Sequence, residues 1–172
     1  WIDLDNIGIF GHSGGGFMST AALLTYPDFY DVACSSAGNH DNNIYNKWWS
    51  ETHNGVEAVY KKKKDDDGNE TEELTWNAKI KTNQSLAENM KGHLLLTHGN
   101  IDNNVHPTNS LRLADELIKA GKRFDMMIFP GKRHGYGSFR GYYEKMMWYY
   151  FAEHLLGDYR DNVDIALPDS GN

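Results

Sequence analysis

The sequence predicts an α/β fold with a mainly parallel sheet covered by helices on both faces. Three observations predict it. Short apolar runs of strand length, at residues 6–10, 31–37, 94–96 and 124–129, alternate with stretches whose apolar residues recur at helical spacing. Gly and Pro mark the joins. The intervals between runs are those of strand–helix–strand units, which build parallel sheets.

The first run, Asn6-Ile7-Gly8-Ile9-Phe10, is a buried strand that meets Gly11-His12-Ser13-Gly14-Gly15-Gly16 at a sharp turn. A helix follows, with Phe17, Ala21 and Leu24 on one face, and Pro27 ends it after Tyr26. Residues 31–37 form the second strand. Residues 38–55 are rich in Asn, Asp, His and aromatics, with Tyr45, Trp48 and Trp49 spaced as on an irregular helix or long loop. The run Lys61-Lys62-Lys63-Lys64-Asp65-Asp66-Asp67-Gly68-Asn69-Glu70 has opposite charges in its two halves and reads as a solvated surface loop or hairpin tip.

Leu94-Leu95-Leu96 is a third buried strand that runs into the loop His98-Gly99-Asn100-Ile101-Asp102. Pro107 suits the first turn of a helix whose inner face would be Leu111, Ala114 and Leu117 or Ile118, closed by Gly121. Residues 124–129 form the fourth strand, which Pro130-Gly131 stops. Residues 132–137 form a loop, residues 139–156 a long aromatic-rich helix, and the chain after Gly157 a polar, irregular tail. No internal repeat or linker divides the chain, so one domain is expected.

Composition narrows the function. The 172 residues carry 17 basic and 24 acidic side chains, a net charge of -7, which argues against nucleic acid or an anionic membrane as the main partner. The sequence has no run of about 18 apolar residues, the length needed to span a bilayer as a helix. The single Cys34 excludes an internal disulfide and a multi-cysteine metal site, and reads as a small buried hydrophobe.

Chemistry enters at Gly11-His12-Ser13-Gly14-Gly15, a G-x-S-x-G motif between an apolar strand and an amphipathic helix. This strand-to-helix turn strains the serine backbone and requires small residues on either side, here Gly11 and Gly15. Ser13 is thereby presented as a nucleophile. The helix start beside it directs unpaired N–H groups and a positive dipole end at a reacting carbonyl, with Gly14 N–H as an oxyanion donor. The absence of a Walker-type lysine argues against a phosphate loop.

A nucleophilic serine needs a base to take its proton and an acid to orient the base. In the α/β-hydrolase fold that hosts this motif the chain order is serine, acid, histidine. The loop after the third strand offers Asp102, and the loop after the fourth offers His134. Both lie at carboxyl ends of strands, where parallel sheets gather their sites. Asp41 is a weaker candidate acid. A metal site from His98, Asp102 and His106 fits on spacing but leaves the serine turn unexplained. No cofactor is required.

Gly11-His12-Ser13-Gly14-Gly15-Gly16, His98-Gly99-Asn100-Ile101-Asp102-Asn103-Asn104-Val105-His106 and His134-Gly135 together resemble the dipeptidyl peptidase IV branch of the prolyl oligopeptidase family. The second block matches every fixed position of the family's H-G-x-x-D-x-N-V-H pattern. The resemblance implies a serine peptidase that removes dipeptides from peptide N-termini, with Ser13 as nucleophile, Asp102 as acid and His134 as base. It further implies that Asn104 holds the substrate's amino-terminal end, and that Val105, Tyr45 and Trp49 shape the pocket for the residue before the scissile bond. The chain departs from the family at Trp49, where a tyrosine is usual, and at His12 and Gly14, where bulkier aromatics are common.

The resemblance also implies that residues 1–172 are the C-terminal portion of the catalytic domain, without its upstream strands, second oxyanion donor or β-propeller. Self-association into a homo-oligomer is expected from the open sheet edge and apolar faces such a piece would leave, and an exported location, periplasmic or secreted, from the resemblance. An esterase or acylaminoacyl hydrolase on the same scaffold is the alternative within enzymes, since a triad does not choose between ester and amide. A self-associating, non-catalytic module is the alternative outside them.

Overall fold

The structure, a computed structural model, describes residues 3–65, 68–77, 80–159 and 164–165. The expected irregular tail and the charge run fall partly outside the described residues, at 160–163, 166–172, 66 and 67. Two compact units emerge, one made of Trp1–His40 and Asn83–Asn172, the other of Asp41–Thr82.

The first unit holds a four-stranded, all-parallel sheet of β1 (Gly8–His12), β2 (Val32–Ser36), β5 (His93–Gly99) and β6 (Asp125–Phe129), in the order β1-β2-β5-β6. Helices α1 (Gly14–Thr25), α3 (Thr108–Lys119) and α4 (Arg140–Leu156) alternate with the strands. Pairing is in continuous register, with Cys34 opposite both Phe10 and Leu95. The predicted α/β class, with helices on both faces, is the fold observed.

Each face has its own core. Leu23 and Leu24 of α1, Leu113 and Leu117 of α3 and a 3-10 segment (Asn83–Asn89) cover the face formed by Ala33, Leu94 and Leu96. Tyr143, Met147 and Tyr150 of α4 cover the opposite face, formed by Val32, Cys34, Leu95 and Phe129. Successive strand residues point to opposite faces, so the three consecutive leucines of β5 divide between the two cores.

Two helices bury part of the face expected, Leu24 in α1 and Ala114 and Leu117 in α3, but fill the rest of it with other residues. In α1 the buried residues are Gly16, Ser19, Thr20, Leu23 and Leu24, while Phe17 and Ala21 are only partly covered. A Cβ on Gly16 would lie 2.6 Å from the Ser36 carbonyl oxygen, so small residues are what let this helix close on β2. In α3, Ser110, Leu113, Ala114 and Leu117 face the core, and Leu111 and Ile118 are exposed. Both stripes of α3 contain leucine, and the one chosen contains Ser110, whose hydroxyl bonds the buried ring of His98 at 2.8 Å.

The second unit contains α2 (Lys47–Asn54) and an antiparallel hairpin, β3 (Glu57–Lys64) with β4 (Glu70–Asn77). The helix lies in the stretch expected to be an irregular helix or loop, and Asn46 caps it by accepting from Trp48 N at 3.1 Å. Lys61 to Lys64, expected in a loop or hairpin tip, are instead strand residues. They pair across the hairpin with acidic partners, as in Lys62–Glu70 at 3.3 Å and Lys63–Glu73 at 3.9 Å.

Candidate active site

Three loops at the carboxyl ends of β1, β5 and β6 carry the chemistry. Ser13 joins the last residue of β1 to the first of α1 with φ 59° and ψ -121°, a left-handed-side conformation that a non-glycine residue adopts only under constraint. Its N–H donates to Ser36 O at 2.8 Å, and its carbonyl accepts the first bond of α1, from Phe17 N at 3.0 Å. The N–H groups of Gly14, Gly15 and Gly16 precede that first bond, at the positive end of the helix.

The glycines have unequal roles. A Cβ on Gly11 would lie 2.2 Å from the Gly15 carbonyl oxygen, so the turn closes only because Gly11 lacks one. A Cβ on Gly15 would touch nothing within 4 Å. The smallness expected at Gly15 is thus required at Gly11 and Gly16, because the neighbouring backbone crowds those two positions.

Asp102 follows β5, and its side chain is fully buried. Oδ1 accepts the N–H groups of Asn104 (2.9 Å) and Val105 (3.1 Å). Oδ2 lies 2.7 Å from His134 Nδ1 and 3.3 Å from His98 Nε2. A buried carboxylate with this many donors is fixed in orientation. Accepting from His134 Nδ1 leaves Nε2 of that ring as the basic nitrogen.

His98 serves Asp102 from behind. Its Nε2 faces Val105 O (2.8 Å) as well as Asp102, both acceptors, so the proton sits on Nε2 and Nδ1 accepts from the Ser110 hydroxyl. Burial lowers its pKa, keeping the ring neutral. Both nitrogens are thereby engaged within the protein, and exposed His106 bonds Thr108 Oγ1 at 2.8 Å, so the three-residue metal arrangement does not assemble.

The Asp102 and His134 loops are laced together. A Cβ on Gly99 would lie 2.3 Å from Lys132 O, Ile101 N donates to Lys132 O (3.2 Å) and Gly131 N to the Asn100 side chain (2.7 Å). His134, 21% exposed, is reached from the serine side by His12, whose ring centroid lies 4.6 Å from its own. His12 Nδ1 lies 2.8 Å from Ser36 Oγ. Burial first, then the neighbouring His134, lowers the His12 pKa to about 4, so its ring is neutral near pH 7.

Ser13, Asp102, His134 and Gly14 therefore all lie at the carboxyl ends of strands of one parallel sheet, with β2 between the serine strand and the other two, and Asp102 and His134 are in direct contact. Val105 is fully buried, and its N–H and carbonyl bond Asp102 and His98. Asn104 is exposed, with its N–H on Asp102. Tyr45 and Trp49 belong to the second unit, where their rings meet edge-on at 5.6 Å and Trp49 stacks on His53 at 4.3 Å. Asp41, also in that unit, caps a turn through Asn43 N at 3.0 Å. Sequence reasoning missed Ser36 and Tyr136, neither of which carried a local signal, whereas Gly99 was already marked as a loop signal where a strand ends.

The model of the prolyl oligopeptidase family matches residues 1–158. Dipeptidyl peptidase 8 of Mus musculus and that of Homo sapiens are each 31% identical over 157 residues, covering 90% of this chain and 16% of theirs. Dipeptidyl peptidase 4 of Trichophyton rubrum is 30% identical over 141 residues, 78% of this chain and 16% of its own. Among solved structures, a candidate dipeptidyl aminopeptidase IV from Bacteroides ovatus superposes with a TM-score of 0.73 at 26% identity, over 90% of this chain and 20% of that one. Porphyromonas gingivalis dipeptidyl peptidase 4 shares the fold at a TM-score of 0.69 and 23% identity, with the same coverage. The chain thus spans no more than about a fifth of the length of these relatives.

Proposed function

The chain belongs to the prolyl oligopeptidase family, and on that premise we propose that it supplies the triad of a serine peptidase releasing dipeptides from peptide N-termini. One observation carries the reading: buried Asp102 holds His134 by a 2.7 Å hydrogen bond, with His134 beside the residue preceding strained Ser13.

Ser13 Oγ attacks the substrate carbonyl while His134 Nε2 takes its proton. The imidazolium that forms is stabilised by Asp102, itself fixed by His98, Asn104 N–H and Val105 N–H. Negative charge developing on the carbonyl oxygen meets Gly14 N–H at the α1 terminus. His134 then protonates the leaving amine, and water, deprotonated by the same nitrogen, releases the acyl group from Ser13.

Dipeptide release rests on the names of the relatives and on exposed Asn104, which the loop geometry ties to the acid and which would receive the substrate's amino terminus. Self-association belongs to the same reading, since Phe10 and Met18 are 63% and 59% exposed. Light scattering reads it directly.

The test is fluorophosphonate labelling of the chain against Ser13→Ala, followed by Xaa-Pro and Xaa-Ala amides against simple acyl esters. Labelling lost in Ser13→Ala with cleavage of the amides is the expected result. Cleavage of esters alone would replace the peptidase with an esterase, and absence of Ser13-dependent labelling would remove the enzyme.

A further inference from the structure

Ser36, the last residue of β2, is fully buried and bonds both halves of the site. Its carbonyl accepts the Ser13 N–H at 2.8 Å. Its hydroxyl donates to Tyr136 Oη at 2.7 Å and lies 2.8 Å from His12 Nδ1. Tyr136 Oη lies a further 2.9 Å from Thr97 Oγ1 on β5. With its single proton given to Tyr136, the Ser36 hydroxyl accepts from His12, which fixes His12 as the Nδ1–H tautomer.

Tyr136 stands two residues after His134, in the same turn. Its N–H donates to Arg133 O at 3.1 Å, so the hydrogen-bonded turn 133–136 encloses His134. Its ring, 2% exposed, packs on Phe129 at 4.6 Å and Tyr143 at 5.3 Å. Backbone strain marks the same group of residues. Among the described residues, the non-glycine residues with positive φ are Ser13 (59°), Ala37 (47°) and Tyr136 (61°): the nucleophile, the neighbour of Ser36, and the residue at the far end of its hydroxyl bond. Ala37 N–H in turn bonds Thr97 O at 2.8 Å. Such conformations persist only where surroundings over-determine them, and they concentrate where geometry serves function.

We propose that Ser36 and Tyr136 are positioning residues: their mutual hydrogen bond couples the serine turn to the loop that carries His134 and so sets the base against the nucleophile. The Ser13 turn hangs from the Ser36 main chain and the His134 turn from its side chain. One β2 residue thereby references two loops that are 121 positions apart, from 13 to 134. Neither residue touches the reacting atoms. The proposal rests on the triad reading for its consequence in activity, but its geometric content is separable.

The experiment compares the full chain with Tyr136→Phe, Ser36→Ala and the double variant. It follows the labelling rate of Ser13 by a fluorophosphonate across pH and, by proton NMR, the downfield resonance of the His134–Asp102 hydrogen bond. Tyr136→Phe keeps the packed ring and removes one hydroxyl. It is expected to slow labelling by about 10- to 100-fold, as small misplacements of a reacting group do. It should also shift or broaden the downfield proton without lowering the cooperative unfolding signal. The double variant should cost clearly less than the sum of the singles, because both break the bond between the two hydroxyls and differ only in the His12 and Thr97 bonds lost beside it. An unchanged downfield proton in Tyr136→Phe overturns the proposal, whether or not Ser13 labels. Wild-type chain that does not label, with a proton that still shifts in the variant, removes the peptidase reading and leaves the coupling standing.

Discussion

The His12 and His134 rings lie 4.6 Å apart, tilted by 54°, and only one of them is bonded to a carboxylate. His12 gives its Nδ1 proton to Ser36 and is kept neutral by burial and by His134 itself. Two adjacent imidazoles can then lie side by side without both being charged, provided that the pH stays above the lowered pKa of His12.

Acid sensitivity follows. His12 is lowered from 6.5 to about 4 and fully buried His40 from 6.5 to about 3, both chiefly by desolvation. Between pH 6.5 and those values the unfolded chain binds more protons than the folded one, so stability falls as the pH falls through that window. Asn83 Nδ2 donates to His40 Nδ1 at 3.0 Å, and His40 Nε2 is left buried without a partner. Thermal unfolding followed from pH 7 to pH 4 should show a falling midpoint, with the fall reduced in His40→Gln. A flat profile would mean that His40 is protonated or solvated in the folded state.

Asp102→Asn should leave the fold in place and lower the Ser13 labelling rate by about 10⁴-fold. An amide in that position no longer selects the tautomer with Nε2 basic, or stabilises its protonated form. Asp102→Ala should lower the unfolding midpoint as well, since it strands the buried N–H of Val105 and the partly buried N–H of Asn104. Labelling rates and melting curves of the two variants, taken together, separate the electrostatic role from the structural one.

The glycines of the serine turn should respond in opposite directions. Gly11→Ala drives a methyl into the Gly15 carbonyl and should destabilise by at least about 3 kcal/mol, and Gly16→Ala, against Ser36 O, by a similar amount. Gly15→Ala meets open space at the start of a helix and should stabilise by about 0.5–1 kcal/mol through the unfolded chain. Urea unfolding ranks the three, and a destabilised Gly15→Ala would contradict the assigned packing.

Cys34 lies in β2 with no exposure, and burial pushes its thiol pKa up to about 12. The native chain should therefore resist iodoacetamide at pH 8 and react only at the rate of unfolding. Mass spectrometry of the alkylated fraction, with and without urea, measures this. Rapid labelling in buffer would show that the α4 face of the sheet opens far below the global unfolding free energy.

Legibility differed between elements for physical reasons. β1, β2, β5 and β6 were readable because buried parallel strands are continuous apolar runs, and Gly or Pro marks their ends. β3 and β4 were not, because the hairpin is mostly exposed, its apolar Tyr60, Leu74 and Trp76 included, and it has no apolar run of strand length. Lys61 to Lys64 opposite Glu70 to Glu73 make a cross-strand pattern that appears only once the partner strand is known. On the inner face of α3, Ala114 and Leu117 are buried as expected, but Leu113 takes the place expected for Leu111, because the two leucines sit on different faces of one helix and composition favours neither. Ser13, Asp102 and His134 were placed by local motifs and by their positions after strands. Ser36 and Tyr136, 100 residues apart, left no local trace.

Leu94 and Leu96 feed one core and Leu95 the other. Side-chain volume along β5 can therefore drift by a methylene at a time, with each core adjusting on its own side. Length cannot. Insertion or loss of one residue would exchange the two sets of leucines between faces and move the Asp102 loop out of register with His134. Among homologous chains, gaps in an alignment should accordingly fall outside β5 and be absent within it.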